Sequence, residues 1–177
     1  MSTREDLLRA AADYLGRRPN ATQDEIASAV GVSRATLHRH FAGRSALMTA
    51  LEELAIAEMS EVLATVRLHE GPADEALRRL VIACEPISPY LALLYSQSQE
   101  DPDTCIEVWS EIDSTITDLF LRGQQDGVFR PELPAAWLTE TFYSLVAATD
   151  WSIRAGRVAA RDGTRLITDL LLNGVKQ

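Results

Sequence analysis

The side chains best suited to recognising another molecule are concentrated between Thr22 and Arg44, where arginine, histidine, threonine and serine recur. Arg34 and Arg39 carry planar guanidinium groups, and such a group can donate two hydrogen bonds to one guanine edge. Ala35 is small enough to allow close approach to a base pair and can contact a thymine methyl group. Hydroxyl, imidazole and guanidinium groups also bind phosphates and thereby fix the register of a protein on a duplex. The segment therefore predicts contact with DNA.

Two short helices joined by a tight turn must position these groups, and residues 22–41 are patterned for that arrangement. Thr22 and Glu25 have the spacing of a capping box at the start of the first helix. Gly31 ends this helix, because a residue without Cβ adopts a positive φ at little cost. Ser33 is a preferred N-cap for the second helix. The pattern indicates a helix-turn-helix, although an ordinary corner between two helices would share part of it.

One face of the second predicted helix is apolar, since Leu37 and Phe41 lie four residues apart and should meet the core together. The opposite arc is then free to enter a major groove, with the first residues of the helix nearest the base edges. We expect the DNA contacts to come from this arc, its flanks and the neighbouring helix starts, namely Thr22, Ser33, Arg34, Ala35, Thr36, His38, Arg39, His40 and Arg44.

Residues 3–48 resemble the N-terminal domain of the TetR family of bacterial transcription regulators. The matching positions stand at the family's spacing and comprise Thr22, Ile26-Ala27, Gly31-Val32-Ser33, Thr36-Leu37, His40-Phe41 and Leu47. Two positions depart from the pattern, because His38 replaces a Tyr that usually contacts the DNA backbone and Arg44 replaces a Lys. The resemblance implies a DNA-binding domain over residues 1–48 and a ligand-binding and dimerisation domain over residues 49–177. It also implies a repressor that binds a palindromic operator as a homodimer and is released by a small-molecule ligand.

The charge distribution agrees with a DNA-binding N-terminus, although the net charge of −9 does not at first suggest a nucleic-acid partner. Residues 1–48 hold seven Arg and five acidic residues, so the excess of acidic residues lies in the remainder of the chain.

No apolar run reaches the roughly 20 residues of a membrane span, and no signal-peptide core is present, so we expect a cytoplasmic protein. In a reducing cytoplasm, Cys84 and Cys105 are expected to be small buried side chains, with a redox-sensing pair as the alternative.

The apolar periodicity is helical throughout, which predicts an all-α protein of about nine helices. Ser2 and Glu5 have capping-box spacing at the start of the first helix. A fourth helix, from near Arg44 to about Arg67, should link the two domains. The last two helices, near 135–155 and 160–173, carry more apolar surface than one side of each helix needs. They resemble the surfaces that TetR relatives join into a dimer interface, and burial within one subunit is the alternative. The residues assigned to that interface are Leu138, Phe142, Leu145, Val146, Ile153, Leu166, Ile167, Leu170 and Leu171.

A ligand site in the C-terminal domain is suggested by aromatic residues of the central helices together with two possible acidic anchors, Asp113 and Asp150. Such aromatic residues at helical spacing also occur in ordinary cores. An aromatic pocket with acidic anchors would suit an apolar or cationic compound through cation–π contacts. The candidate aromatic residues are Tyr90, Tyr95, Trp109, Phe142, Tyr143 and Trp151.

The sequence offers little support for an enzyme, and no cofactor or metal is expected. It lacks a Gly-x-Ser-x-Gly nucleophile elbow, a phosphate-binding glycine loop and a His-Glu-x-x-His metal pair. His38 and His40 are two residues apart on a helix, so they point in different directions and are poorly placed to bind one metal ion.

A stronger alternative to a ligand-released repressor is an architectural or adaptor protein that keeps the same fold and DNA binding but acts through a protein partner.

Overall fold

The computed structural model describes residues 3–98 and 109–176. Apart from one isolated bridge between Phe129 and Lys176, these residues form no β-structure, so the predicted all-α class is confirmed. Short 3₁₀ turns at Glu85–Ile87 and Ala160–Asp162 precede α6 and α9. The α-helices are α1 (Arg4–Arg17), α2 (Gln23–Ala29), α3 (Arg34–His40), α4 (Arg44–Val66), α5 (Ala73–Cys84), α6 (Ser88–Ser98), α7 (Ser110–Gln125), α8 (Ala135–Arg154) and α9 (Gly163–Val175).

Helix starts follow the capping chemistry of the sequence, with one correction. Thr22 and Glu25 form the predicted capping box at α2. The first helix is instead capped by Thr3, whose hydroxyl accepts from the Asp6 amide while the Asp6 carboxylate accepts from the Thr3 amide. The predicted box was therefore one residue too early. The correct pair has the same spacing, because Thr-x-x-Asp satisfies the same two backbone N–H groups as Ser-x-x-Glu.

Helices α1 to α3 and the start of α4 enclose a small core that fixes the orientation of α3. Apolar side chains at helical spacing on α1 pack against α2 and α4, and α2 packs against α3. The buried residues of this head include Leu7, Leu8, Ala11, Ala12, Leu15, Ala21, Ile26, Ala27, Leu37, Phe41 and Leu47. Leu37 and Phe41 thus occupy the core as predicted.

Helix α4 runs without a break across residue 48 and joins this head to the remaining helices, which we call the body. Within the body, α8 packs against α6, α7 and α9, and α1 of the head packs against both α6 and α8. Gly123 allows the loop after α7 to fold back against that helix, because a Cβ at Gly123 would lie 2.2 Å from the Phe129 ring. In the part of the chain that the structure describes, no helix is long and apolar enough to cross a membrane.

The predicted dimer surface is wrong for several of its residues. Leu138, Phe142, Val146, Ile167 and Leu171 are buried within a single subunit, so they are already covered by their own chain. The large apolar side chains that α8 and α9 do leave exposed are those of Trp137, Trp151, Leu166 and Leu170. We call these four residues the α8–α9 patch. Helical periodicity marks apolar positions on a helix, but it does not say which neighbour covers them.

Candidate nucleic-acid interface and effector domain

The second helix of the predicted motif, α3, presents its polar arc outward. Ser33 caps α3 by accepting a hydrogen bond from the Thr36 amide at 3.1 Å, and burial of Leu37 fixes the rotation of the helix. Arg34, Ala35, His38 and Arg39 are consequently exposed, whereas Thr36 and His40 are partly buried on its flanks. No acidic residue lies in the first turn of α3 itself, the end of the helix that meets base edges in such motifs.

The turn between α2 and α3 depends on Gly31, whose φ of 74° lies in the left-handed region. This conformation lets the Val32 amide bond back to the Ala27 carbonyl at 2.9 Å, which closes the end of α2. Thr22, at the other end of α2, uses its hydroxyl within the capping box. The Thr22 and Ser33 side chains therefore hold helix starts in the free protein, and their contact with DNA stays a prediction.

Arg34 has a partner that the sequence pattern did not indicate. Its Nη1 lies 3.0 Å from Oδ2 of Asp24, in the first turn of α2, and both side chains are largely exposed. An exposed ion pair of this kind contributes at most about 1 kcal/mol, so it can open when a better partner for the guanidinium is available. Asp24 and Arg34 are ten residues apart on separate helices, and only the angle between the helices brings them together.

Arg44 begins α4 and bonds to the loop before α2. Its Nη1 donates to the Ala21 carbonyl at 3.0 Å and its Nη2 donates to the Pro19 carbonyl. Two charged hydrogen bonds to backbone carbonyls fix α4 against the α1–α2 turn. Arg44 therefore has a structural role in the head, in addition to the phosphate contact that the sequence predicts.

Three of the predicted effector residues, Asp113 of α7 with Phe142 and Tyr143 of α8, lie together in the body. The Tyr143 hydroxyl donates to Oδ1 of Asp113 at 2.8 Å, and the rings of Phe142 and Tyr143 lie 5.5 Å apart. Burial raises the pKa of Asp113 above its usual value, and the Tyr143 hydrogen bond offsets part of that rise. Burial and the nearby Asp113 carboxyl also raise the pKa of Glu140. This acidic cluster of Asp113, Glu140 and Tyr143 has no lysine or arginine ion pair within the described residues.

Trp109 and Tyr95 also lie in the interior of the body. Trp109 precedes Asp113 by one turn, its side chain is buried, and its indole Nε1 has no hydrogen-bond partner among residues 3–98 and 109–176. The hydroxyl groups of Tyr95 and Ser144 share a hydrogen bond of 2.7 Å between α6 and α8. An unpartnered buried N–H is costly, so the Trp109 indole is a candidate donor to a bound ligand.

The other three predicted effector residues are engaged elsewhere. Tyr90 is buried at the contact between α6 and α1, where its hydroxyl accepts from Arg9 at 3.4 Å. Asp150 forms a two-point ion pair with Arg154 near the end of α8. Trp151 is exposed, and the Arg157 guanidinium lies over its ring at 4.3 Å. The structure therefore does not bring all eight predicted effector residues into one site.

A cavity of about 200 Å³ lies between α5, α8 and α9, and Asp150 is the one predicted effector residue that lines it. Its wall also includes Cys84, whose thiol is buried and has its pKa raised to about 12 by that burial. Cys105 lies outside the described residues. Within them, no group of three or more His, Cys, Asp or Glu side chains could hold a metal ion.

The sequence is similar to those of known bacterial transcription regulators. The family model for "Bacterial regulatory proteins, tetR family" matches residues 7–51. The HTH-type transcriptional regulator NfxB of Pseudomonas aeruginosa is 33% identical over 173 residues, which cover 96% of this chain and 92% of NfxB. The HTH-type transcriptional repressor LfrR of Mycolicibacterium smegmatis is 30% identical over 162 residues, which cover 91% of this chain and 80% of LfrR.

Solved structures share the architecture of the described residues. The TetR-like regulator LfrR from Mycobacterium smegmatis, in complex with proflavine, superposes with a TM-score of 0.75 at 25% identity, covering 98% of this chain and 96% of that one. The MbdR regulator from Azoarcus sp. has a TM-score of 0.71 at 19% identity, covering 96% and 97%, which supports the fold alone. A helical body with a helix-turn-helix head defines a DNA-binding transcriptional regulator, not an enzyme. The chain belongs to the TetR family.

Sequence reasoning missed Asp24, the partner of Arg34, and Asp13, the partner of Arg154. Asp150 and Arg154 are four residues apart on one helix, a spacing that indicates a local ion pair. The further contact from Arg154 to Asp13 spans 141 residues, and no local pattern predicts it. Trp137 was also missed, because a tryptophan on a helix is ordinarily assigned to a core.

Proposed function

We propose that this regulator binds a palindromic operator as a homodimer, with α3 of each subunit in a major groove. The observation that carries the proposal is the outward arc of α3, where Arg34, Ala35, His38 and Arg39 are exposed while Leu37 anchors the helix. Arginine at the start of such a helix reads base edges, and the remaining polar groups bind phosphates. Binding to chromosomal DNA would place the protein in the cytoplasm.

Dimerisation through α8 and α9 is supported by the α8–α9 patch. Leu170 is 63% exposed and Leu166, one turn earlier, is also exposed, although both are large apolar side chains. Trp137 and Trp151 are exposed apolar side chains of the neighbouring helix, α8. Pairing this patch with its symmetry copy would remove apolar surface from water and present two α3 helices to two half-sites of one duplex.

We further propose that the protein acts as a repressor and that a small molecule bound in the body releases it from DNA. The acidic cluster supports a cationic ligand, because partly buried carboxylates without a basic partner are stabilised by a positive charge. The Phe142 ring lies 5.5 Å from that of Tyr143, and Trp109 precedes Asp113 by one turn, so these aromatic residues would add cation–π or stacking contacts. The similarity to LfrR, whose structure holds proflavine, makes that aromatic cation the natural first probe.

The experiment begins with selection of bound fragments from random duplex DNA, followed by footprinting across the genome of the source organism. A palindrome found at a few promoters supports a regulator of specific genes, whereas many scattered sites support the architectural alternative. Proflavine is then titrated against the protein–operator complex. Asp113→Asn should weaken proflavine binding, and Asp118→Asn, which changes an exposed carboxylate on the same helix, should not.

Failure to select any palindrome, or a protein that stays monomeric when it binds DNA, would contradict the proposed dimeric regulator. Proflavine that binds equally well to the native protein and to Asp113→Asn would contradict the acidic cluster as its site, without affecting the assignment of α3.

A further inference from the structure

Arg154, the last residue of α8, has the least exposed cationic side chain among the ion pairs of residues 3–98 and 109–176, with 11% of it accessible. Its Nε donates to Oδ2 of Asp150 at 2.6 Å and its Nη2 donates to Oδ1 at 3.3 Å. A carboxylate bound at two points holds the guanidinium plane in one orientation. Asp150 therefore fixes the direction of the remaining nitrogen, Nη1.

That remaining nitrogen contacts the head. Nη1 of Arg154 lies 2.9 Å from the Asp13 backbone carbonyl and 2.9 Å from Oδ1 of the same residue. Asp13 belongs to α1, whose buried side chains pack against α2 and α4 of the head, and α2 in turn packs against α3. Arg154 belongs to the body. Arg9 of α1 forms a second polar contact, with Glu58 of the linking helix α4 and Tyr90 of α6 in the body, but its side chain is far more exposed.

Gly16 makes room for this contact. A Cβ at Gly16 would lie 3.1–3.3 Å from the carbon and both terminal nitrogens of the Arg154 guanidinium. Glycine is a poor helix former, and Gly16 lies in the last turn of α1 without a positive φ that would favour it. The close approach of Arg154 therefore gives a physical reason for glycine at this position.

We propose that Arg154, oriented by Asp150, is a positioning residue that fixes the DNA-binding head on the body and thereby sets the spacing of operator half-sites. The proposal rests on the dimeric regulator proposed above. In that dimer the bodies are joined, so the angle between each head and its body determines the separation of the two α3 helices. One added base pair between half-sites moves them apart by about 3.4 Å and rotates them by about 35°, which a firmly held head cannot follow.

The test uses the full-length protein and two variants. Arg154→Gln removes the charged contact, and Gly16→Ala keeps every side chain of the contact but displaces the guanidinium. Arg130→Gln is the matched control for loss of a partly exposed arginine that pairs with Glu132 inside the body. Gly174→Ala is the control for a helical glycine, because a Cβ there meets nothing within 4 Å.

The selected operator is resynthesised with the half-site spacing changed by one and two base pairs in each direction, and the Kd for each duplex is measured by fluorescence anisotropy. The native protein should prefer one spacing sharply. In Arg154→Gln and Gly16→Ala, the ratio of Kd values between the next-best and best spacings should fall about tenfold, within the usual range of coupling between sites. Both controls should keep the native ratio.

Hydrogen–deuterium exchange of the free protein gives a second readout that needs neither DNA nor a dimer. The amides of α1 should exchange faster in Arg154→Gln and Gly16→Ala than in the native protein and the controls. Native spacing ratios and native exchange in both variants would overturn the proposal. A native protein that binds no operator would instead count against the proposed function, and the exchange of α1 would then decide the role of Arg154 by itself.

Discussion

The ion pair between Arg34 and Asp24 leads to a prediction with opposite signs for its two members. In the free protein their side chains are 70% and 63% exposed, and the pair contributes at most about 1 kcal/mol. A bidentate contact from arginine to guanine contributes about 1–3 kcal/mol of discrimination. Because the second quantity exceeds the first, Arg34 should leave Asp24 and bind the base when the operator is present.

Arg34→Ala should therefore weaken operator binding by about 1–3 kcal/mol per half-site, a factor of about 5 to 150, and relax the preference at one operator position. Asp24→Asn should strengthen binding by up to about 1 kcal/mol per half-site, because it removes both the competing partner and a negative charge near the phosphates. In an Arg34→Ala background, Asp24→Asn should strengthen binding less, since no guanidinium is released.

Fluorescence anisotropy with the selected operator, and with duplexes substituted at each position, measures these effects between about 50 and about 200 mM salt. Arg78→Ala is the control, since Arg78 is an exposed arginine of α5 in the body. If Arg34→Ala lowered the affinity for every duplex by the same factor, Arg34 would be a phosphate contact and the assignment would be refuted. Weaker binding by Asp24→Asn would refute the competition between the two partners.

Three further predictions concern the body. Leu170→Glu should convert the dimer to a monomer in sedimentation velocity, because it places a charge in the α8–α9 patch. Ile82→Glu, at a similarly exposed apolar residue of α5, is the control and should remain a dimer. If the Leu170→Glu variant also remained a dimer, the proposed interface would be contradicted. The folded-state pKa of Asp113 is raised, so its contribution to stability is present in acid and lost as pH rises through that pKa. In denaturant unfolding, the free energy of unfolding of Asp113→Asn should therefore rise relative to that of the native protein between about pH 4 and about pH 7. A difference between the two free energies that does not change with pH would contradict the raised pKa. Cys84 should resist alkylation in the folded protein at pH 8, because burial raises its thiol pKa to about 12, and rapid modification located at Cys84 by peptide mass mapping would contradict its burial.

The structure of the head could be predicted from local sequence signals. Capping residues, a glycine at a positive φ and apolar residues four apart each act within a few positions of the chain. Leu37 and Phe41 are buried, Gly31 forms the turn, and Ser33 begins α3, as those patterns predict. Even the misplaced capping box at α1 was in error by a single residue, since two adjacent pairs had suitable chemistry.

Other features depend on how the helices are rotated and packed against one another, and these became visible only in the folded protein. The apolar pattern of α8 and α9 did not distinguish Leu171, which its own chain covers, from Leu170, which it leaves exposed. Charge and spacing also did not show that Arg154 reaches Asp13 or that Arg34 meets Asp24. Helical periodicity fixes positions around one helix axis, whereas these contacts depend on the angle and distance between two axes, which the packing of the whole core sets.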